Sequence, residues 1–422
     1  LIVRKDCSMM RIGIALALGL VWCGCSPGRA DESPSIEKYL GEGKLAEGEK
    51  VLGERLKTAP DDGKARFGLG VVQFVRGVER MVQSLHRYGL NSLLLGAALR
   101  FDRLLIPENA HPEPIGYEEL RAIFQTWVDD LARAEATLAQ VRDDQVKLPF
   151  RIGELRLDFD GDGKAEPEET LWRIFARFNR AADDPEIAAA SKEFVIVLDR
   201  ADVAWLRGYC HLLMAHVEVC LAHDGRELFD HTGPLFFANA KSTYPFLKRT
   251  PGELREGFGF DEIVDAVAFI HLVRLPVVEP ERLTSTLAHL EAMIALSRES
   301  WRYILAETDD DHEWVPSPKQ HTVIPGMTVT DEMATGWKEF LAEAESILQG
   351  KKLIPFWRAR ETRGVNLRRV FTEPRTFDLV LWIQGTAAAP YLEAGPQTSV
   401  ETWLRLQRVF RGEFIGFALW FN

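Results

Sequence analysis

Between residues 117 and 146 the apolar side chains Leu120, Ile123, Phe124, Trp127, Leu131, Ala134 and Leu138 return every third or fourth position. That spacing gathers them on one stripe of a helix and would scatter them over both faces of a strand. The same period recurs along most of the chain, whereas two-residue alternation is scarce, so an all-β sandwich or barrel is excluded. Helices are predicted over 91–101, 117–146, 171–179, 200–223, 261–275, 279–307, 331–348 and 377–384. Pro276, Gly350 and Gly385 stand at their ends, and Thr330 caps one start. Thr398 with Glu401 three residues on reads as a capping box opening a helix that reaches about Arg411. The expected fold is mainly α: a multi-helix bundle or an irregular α-solenoid-like array. Two long stretches, 224–260 and 309–329, read as loops, and loops of this length usually carry a binding surface.

The small residues near the start have their own pattern. Tyr39, Gly43, Gly48, Leu52, Leu56 and Pro60 are followed by Leu69-Gly70, Phe74 and Gly77. This resembles the tetratricopeptide repeat, in which small residues let two antiparallel helices approach. The match covers about one and a half repeats and fades by Gly89, and about three are needed for a free-standing solenoid. The resemblance therefore implies one helical hairpin packed on a larger body.

The first thirty residues differ from the rest. Met9 and Met10 precede Arg11 and an apolar run from Ile12 to Trp22. This is the layout of a secretory signal peptide, too short to span a ~30 Å hydrocarbon core. Gly24-Cys25 places a glycine before a cysteine as at a bacterial lipoprotein processing site, with Trp22 where such sites usually carry Leu. Cleavage after Ala30 is the alternative. The expected location is the periplasm, with a lipid anchor at Cys25 as the membrane attachment. The whole chain carries 51 basic against 63 acidic residues, a net charge of −12. The leader holds four basic and one acidic residue, so the remainder is more acidic still, at −15. A surplus of carboxylates argues against nucleic acid as a partner, which needs Lys and Arg against its phosphates. Of the five cysteines only Cys210 and Cys220 lie beyond the leader, both within the predicted helix 200–223. Ten residues of helix separate them by ~15 Å, too far for a disulfide, so two buried free thiols are expected.

The segment Asp158-Phe159-Asp160-Gly161-Asp162-Gly163-Lys164-Ala165-Glu166-Pro167-Glu168-Glu169 carries the sharpest chemistry. Asp158, Asp160 and Asp162 stand at positions one, three and five of a twelve-residue EF-hand loop, and Gly163 stands at the sharp turn of position six. Lys164 would offer its backbone carbonyl, Glu166 acts directly or through water, and Glu169 is the closing bidentate acid. Oxygen ligands in this number suit Ca²⁺, the expected cofactor, held at Asp158, Asp160, Asp162, Lys164, Glu166 and Glu169. Residues 170–175 provide an exiting helix. The entering segment 147–157 holds Pro149 and Gly153 and is no helix, and Ala165 replaces the usual β-branched residue at position eight. With the leader, this loop resembles exported bacterial EF-hand domain-containing proteins of unknown function. That likeness covers under a tenth of the chain.

Other constellations carry less. His216, Cys220 and His223 share one face of the 200–223 helix, and Arg207, His211 and Glu218 form a second polar stripe. Internal pairing is the expectation for both, with His231 close behind in sequence. Asp309-Asp310-Asp311-His312-Glu313 reads as a solvated acidic loop. Arg368, Arg369, Glu373, Arg375 and Asp378 read as an ion-pair network. The ten tryptophans outside the leader are expected mainly in the core. No HExxH, GxSxG, Walker or dinucleotide fingerprint is present. The expected organisation is a leader over 1–30, an N-terminal helical region over 31–145 and the loop with its exiting helix over 146–180. A C-terminal helical region follows over 181–422 and can form one domain with the rest. The functional reading is an exported calcium-binding helical protein, a binding or scaffold module with an unidentified protein partner, its enzyme status open. The alternative is an envelope hydrolase or metalloenzyme with a site near 201–223 and 224–260.

Overall fold

The computed structural model describes residues 35–90, 106–173, 193–247, 260–323, 328–358, 362–412 and 414–421. The leader, the predicted helix 91–101 and the part of the predicted helix 171–179 beyond Arg173 lie outside the described residues.

The chain is mainly helical. It opens with α1 (Ile36–Gly41), α2 (Leu45–Thr58) and α3 (Gly63–Arg87). Asp62 starts α3 by accepting the Ala65 N–H at 2.9 Å, filling one of the unpaired donors of a helix start. Helices α2 and α3 pack as the expected hairpin, and α3 leans along α4 (Tyr117–Leu138). A Cβ added to Gly70 would lie 2.5 Å from both Leu138 Cγ and Cδ2, so the bare glycine is what lets α3 and α4 touch. Helix α4 stops eight residues before the predicted end at 146. Beyond Leu138 the chain makes tight turns, Gln140 N–H to Thr137 O and Val141 N–H to Leu138 O, through the polar stretch 142–145. Val141 and Val146 are still buried, but in the core of α1–α3.

Two strands went unread in the sequence. β1 (Leu148–Arg151) and β2 (Val195–Leu198) pair antiparallel, Leu148 facing Leu198 and Arg151 facing Val195. The run Val-Ile-Val-Leu is too short to tell a strand from a buried helical turn by period alone. From β2 the chain enters α5 (Arg200–Ala222), started by Asp199, which accepts the Ala201 N–H at 2.7 Å. Helix α5 runs through the middle of the molecule, packed on α4 and most extensively on α8 (Pro280–Ile304).

The stretch 224–260 is not one loop. It contains α6 (Arg226–Phe236), with Pro234 in its last turn. A proline there leaves the carbonyl four residues back without its N–H partner, and Ser242 Oγ donates to that carbonyl, Asp230 O, at 2.5 Å. Helix α7 (Phe260–Leu272) ends short of 275 because Leu275 precedes Pro276, which disfavours helical backbone. Arg274–Leu275 instead form β3, paired with β6 (Phe377–Asp378). Helix α9 (Asp331–Leu348) follows its Thr330 cap as predicted. Beyond it come β4 (Ile354–Pro355), β5 (Gly364–Val365), α10 (Leu367–Thr372), α11 (Leu379–Gln384), β7 (Leu392–Glu393), α12 (Val400–Val409) and α13 (Phe414–Phe421). The cap of α12 is Ser399, which accepts the Thr402 N–H, so the helix starts one residue later than predicted and the box at Thr398 and Glu401 does not form.

Trp301 and Trp337 are fully buried among α8, α9, α12 and α13, and the Trp337 indole N–H donates to Ser297 Oγ at 3.1 Å. Trp357 departs from the expected pattern and is exposed. Cys210 and Cys220 are unpaired as expected; Cys210 is buried, but Cys220 faces solvent on the outer side of α5, correcting the expectation of two buried thiols.

Glycine-to-alanine exchange in a helix gains up to ~1 kcal/mol in propensity. At Gly53 nothing lies within 4 Å of an added Cβ, so Gly53→Ala should raise stability by about that amount. At Gly70 the clash with Leu138 should outweigh the gain and lower stability by about 1–2 kcal/mol. Urea titration of the two variants gives opposite signs if the α3–α4 contact is as described.

Candidate functional site

The 158–169 loop is built between two short extended legs. Arg156 and Thr170 form an antiparallel bridge, Leu171 N–H donates to Leu155 O at 2.8 Å, and Leu157 N–H reaches Glu169 O. The loop thus closes like a hairpin, not as helix–loop–helix. Ile152–Glu154 and Pro167–Glu169 are single 3-10 turns, and α-helical backbone starts only at Leu171. The entering segment 147–157 holds no α-helix, as expected, and the exiting helix begins at Leu171.

Within the loop the spacing read from the sequence has a physical outcome. Asp158 is buried, and its two carboxylate oxygens accept the Gly161 N–H at 2.7 Å and the Gly163 N–H at 2.9 Å. Asp160 accepts the Asp162 N–H and Asp162 accepts the Lys164 N–H. Gly163 has φ +87°, a left-handed conformation that a side chain would strain. These turns bring one oxygen of each of Asp158, Asp160 and Asp162 within 4.8 Å of the others. Glu169 stands apart from that trio. Its oxygens accept the Phe159 N–H at 2.9 Å and the Glu166 N–H at 2.8 Å, which ties the two ends of the loop together. Burial, with the Asp160 and Asp158 charges behind it, raises the Glu169 carboxyl above its ordinary range. Glu166 and Lys164 lie on the same loop, Lys164 with its side chain in solvent.

The framework holds the loop from two sides. On α3, Glu79 accepts the Asp158 N–H at 3.0 Å and Gln83 donates to Asp158 O at 2.8 Å. Burial pushes the Glu79 carboxyl up to about 7. Phe159 is sunk in the α1–α3 core. On the other side Ala165 sits over Gly43, where an added Cβ would come within 2.1 Å of the alanine methyl. Gly43 has φ +65° in the corner between α1 and α2. The alanine at position eight is therefore no defect of the motif, since the α1–α2 corner leaves no room for a branched side chain.

The histidines of α5 go to internal partners. His211 Nδ1 and His289 Nδ1 share a hydrogen bond of 2.8 Å across the α5–α8 contact. Arg207 donates to Glu135 at 2.9 Å, with His211 Nε2 3.7 Å from the same carboxylate oxygen. Burial works to raise the Glu135 carboxyl, and the hydrogen bonds from His211 and Arg207 outweigh it and hold it below the ordinary range. Burial and the His211 charge lower His289. Glu218 pairs with Arg282 at 2.8 Å. His216 and His223 each turn onto a carbonyl one turn back, Leu212 O and Val219 O, so the stripe with Cys220 is not gathered around a common point. His231 stacks on Tyr244. In the 309–313 stretch Lys147 pairs with both Asp309 and Asp311, and Asp310 with His321, so one lysine and one histidine answer three acids. Of the expected network, among the described residues, only Arg369–Glu373 forms within the predicted set; Arg369 also bonds Glu393, Arg368 bonds Glu291, and Asp378 faces Arg274.

A second carboxylate group had no signal in the sequence, because its members come from three places. Asp199 at the start of α5, Glu307 just past α8 and Glu313 bring oxygens within 4.8 Å of one another, with the enclosed Asp202 beside them. Burial and the Asp199 charge push Glu307 up to about 8, and burial pushes Glu313 up to about 7 and Asp202 well above the ordinary range. Gln320 donates to Glu307 Oε2, and a proton on Glu307 lets it donate to Asp199.

No protein-family model, curated protein or solved structure matches the chain.

The acid group yields a signed pH dependence. An unfolded Glu titrates near ~4.3, so between there and about 8 the folded chain holds a proton that the unfolded chain releases. The stabilisation is fully present at low pH and is lost as pH rises through that window. Glu307→Gln keeps a neutral donor toward Asp199 at every pH. Its melting temperature should rise relative to the parent as pH goes from about 5 to 8; a difference independent of pH would contradict the assignment.

Proposed function

We propose that the protein is a calcium-stabilised helical module of the bacterial cell envelope, acting as a binding or scaffold protein. The observation that carries the reading is the 158–169 loop. The ligand positions of a twelve-residue calcium loop are filled in order, and the carboxylates at positions one, three and five converge while Gly163 takes the required left-handed turn. The donor chemistry suits a hard divalent cation: carboxylates of Asp158, Asp160 and Asp162, the Lys164 carbonyl, and Glu166 and Glu169 nearby. A cation there would neutralise acids that otherwise repel one another. Because Asp158 is fixed to α3 and Ala165 to the α1–α2 corner, its effect would be to stiffen the N-terminal helices. The absence of a helix entering the loop favours a structural ion over a sensor that opens a groove. Export with a tether at Cys25 fits a weak site, since extracellular calcium modules work at ~10⁻⁴–10⁻³ M.

The test is a set of thermal melts on metal-free protein. Calcium at about a hundred times its dissociation constant should stabilise by ~2.7 kcal/mol, reversed by chelator. Asp160→Ala, an exposed position, should remove the response while leaving the chelated melt unchanged within about 0.5 kcal/mol. His216→Ala, on the outer face of α5, should leave both melts as they are. Loss of an enzymatic activity in His216→Ala or His211→Ala with melting intact would instead favour an envelope hydrolase or metalloenzyme.

A further inference from the structure

Helix α7 is apolar and nearly naked. Ile263, Val264, Val267, Phe269 and Ile270 are all exposed, Ile263 by 58 % and Val267 by 62 %. Between 263 and 271 Asp265 alone is half-buried, so the exposed side chains occur around the whole circumference and not along one stripe. Beside it lies α11, joined through the β3–β6 pair and the Leu379 N–H to Val273 O bond of 2.9 Å. It adds Val380, Leu381 and Ile383, the last 67 % exposed. Trp357, half exposed, closes this surface, its indole N–H donating to Ile383 O at 3.0 Å. A contiguous apolar surface of this kind on a water-soluble face marks an interaction site.

The charge around it says what the partner is. In a chain of net charge −12, residues 351–375 carry eight Lys or Arg against two acids, of which Lys352, Arg368 and Arg369 are paired with Glu343, Glu291 and Glu393. Arg358 is exposed and donates to Gln384 O at the end of α11, Arg375 is exposed just before β6, and the side chain of Arg274 is 3.8 Å from Asp378 and mostly in solvent. The acids of α7, at 261, 262 and 265, sit in its first half, away from Arg274 beyond its end. A lipid interface takes up an exposed apolar face without a matching groove. Thirteen residues of helix extend ~20 Å, too short to cross a bilayer, and no described helix is long and apolar enough to do so.

We propose that the α7–α11 face docks on an anionic lipid surface, with α7 lying in the plane of the headgroups. Arg274, Arg358 and Arg375 face the lipid phosphates, and Trp357 stands at the interface, where amphipathic rings concentrate. The docking requires no calcium loop and stands independently of that reading.

Flotation of the full chain with phosphatidylcholine vesicles, with and without phosphatidylglycerol, tests the proposal. Binding is expected with the anionic vesicles, to weaken with salt and to persist in chelator. The triple change Val267→Asp, Ile270→Asp, Ile383→Asp should reduce it at least about tenfold, as should Arg274→Glu, Arg358→Glu, Arg375→Glu. The apolar run at 12–22 is common to all variants, so the change reports the α7–α11 face. Brominated lipid should quench a component of the tryptophan emission that Trp357→Phe removes. The substituted side chains are exposed, so the variants should melt with the parent. Flotation unchanged by both triple variants, or no quenching assigned to Trp357, overturns the proposal. So does a dimer by light scattering that Val267→Asp disperses, or a steep loss of melting temperature in the Asp variants; these would show the face covered by a second copy or by the chain itself.

Discussion

The seam between α5 and its neighbours is the constraint on which the rest of the molecule is hung. Helix α5 is buried along most of its length, yet it carries Arg200, Arg207, His211 and Glu218. Each is answered from another helix: Arg200 by Glu299, Arg207 by Glu135, His211 by His289 and Glu218 by Arg282. For the most enclosed pair, Glu218–Arg282, removing the arginine would strand a buried charge, a loss of up to ~3–5 kcal/mol. A slide of α8 along α5 by one turn would break several such pairs together, so the register of the two helices is fixed by polar matching as much as by apolar area. Arg121 of α4 finishes the seam by donating to Leu221 O at 2.9 Å and His223 O at 3.1 Å, capping carbonyls that the end of α5 leaves open.

The candidate loop is held with comparable firmness, by different means. Its first acid is a fixed part of the α3 surface through Glu79 and Gln83, and its eighth residue meets the bare backbone of Gly43. The glycine that resembles a helical-repeat position thus also serves as the bed of the loop. Two sequence features that read as unrelated, a small residue at 43 and an unusual alanine at 165, are one contact in space.

What was legible in the sequence is what local chemistry decides. Helices with long apolar stripes and side-chain caps, such as α5 and α9, fall within a residue or two of where spacing and Thr330 place them. The loop residues 158–169 were legible too, because their bonds are local. Illegible were the features that depend on a distant partner. Pro234 looks like a helix breaker until Ser242 returns to its orphaned carbonyl. The strand 195–198 exists because Leu148–Arg151 lies beside it, and the acids Asp199, Glu307 and Glu313 meet only through the fold. The sequence reading of α7 as a helix was sound, but nothing in its period reveals that its apolar residues stay in solvent.

The β1–β2 pair has a further meaning. Because Arg151 is paired with Val195, the chain leaves β1 and returns to β2 at one point. An excursion with its base clasped in this way adds little closure entropy as it lengthens, since each doubling costs only ~0.6 kcal/mol. Segments of this type can gain or lose residues, or acquire a whole inserted module, while the helix that follows stays in place. The 158–169 loop sits in the near part of that stretch, beside the β1–β2 pair and held to α3 by Glu79 and Gln83.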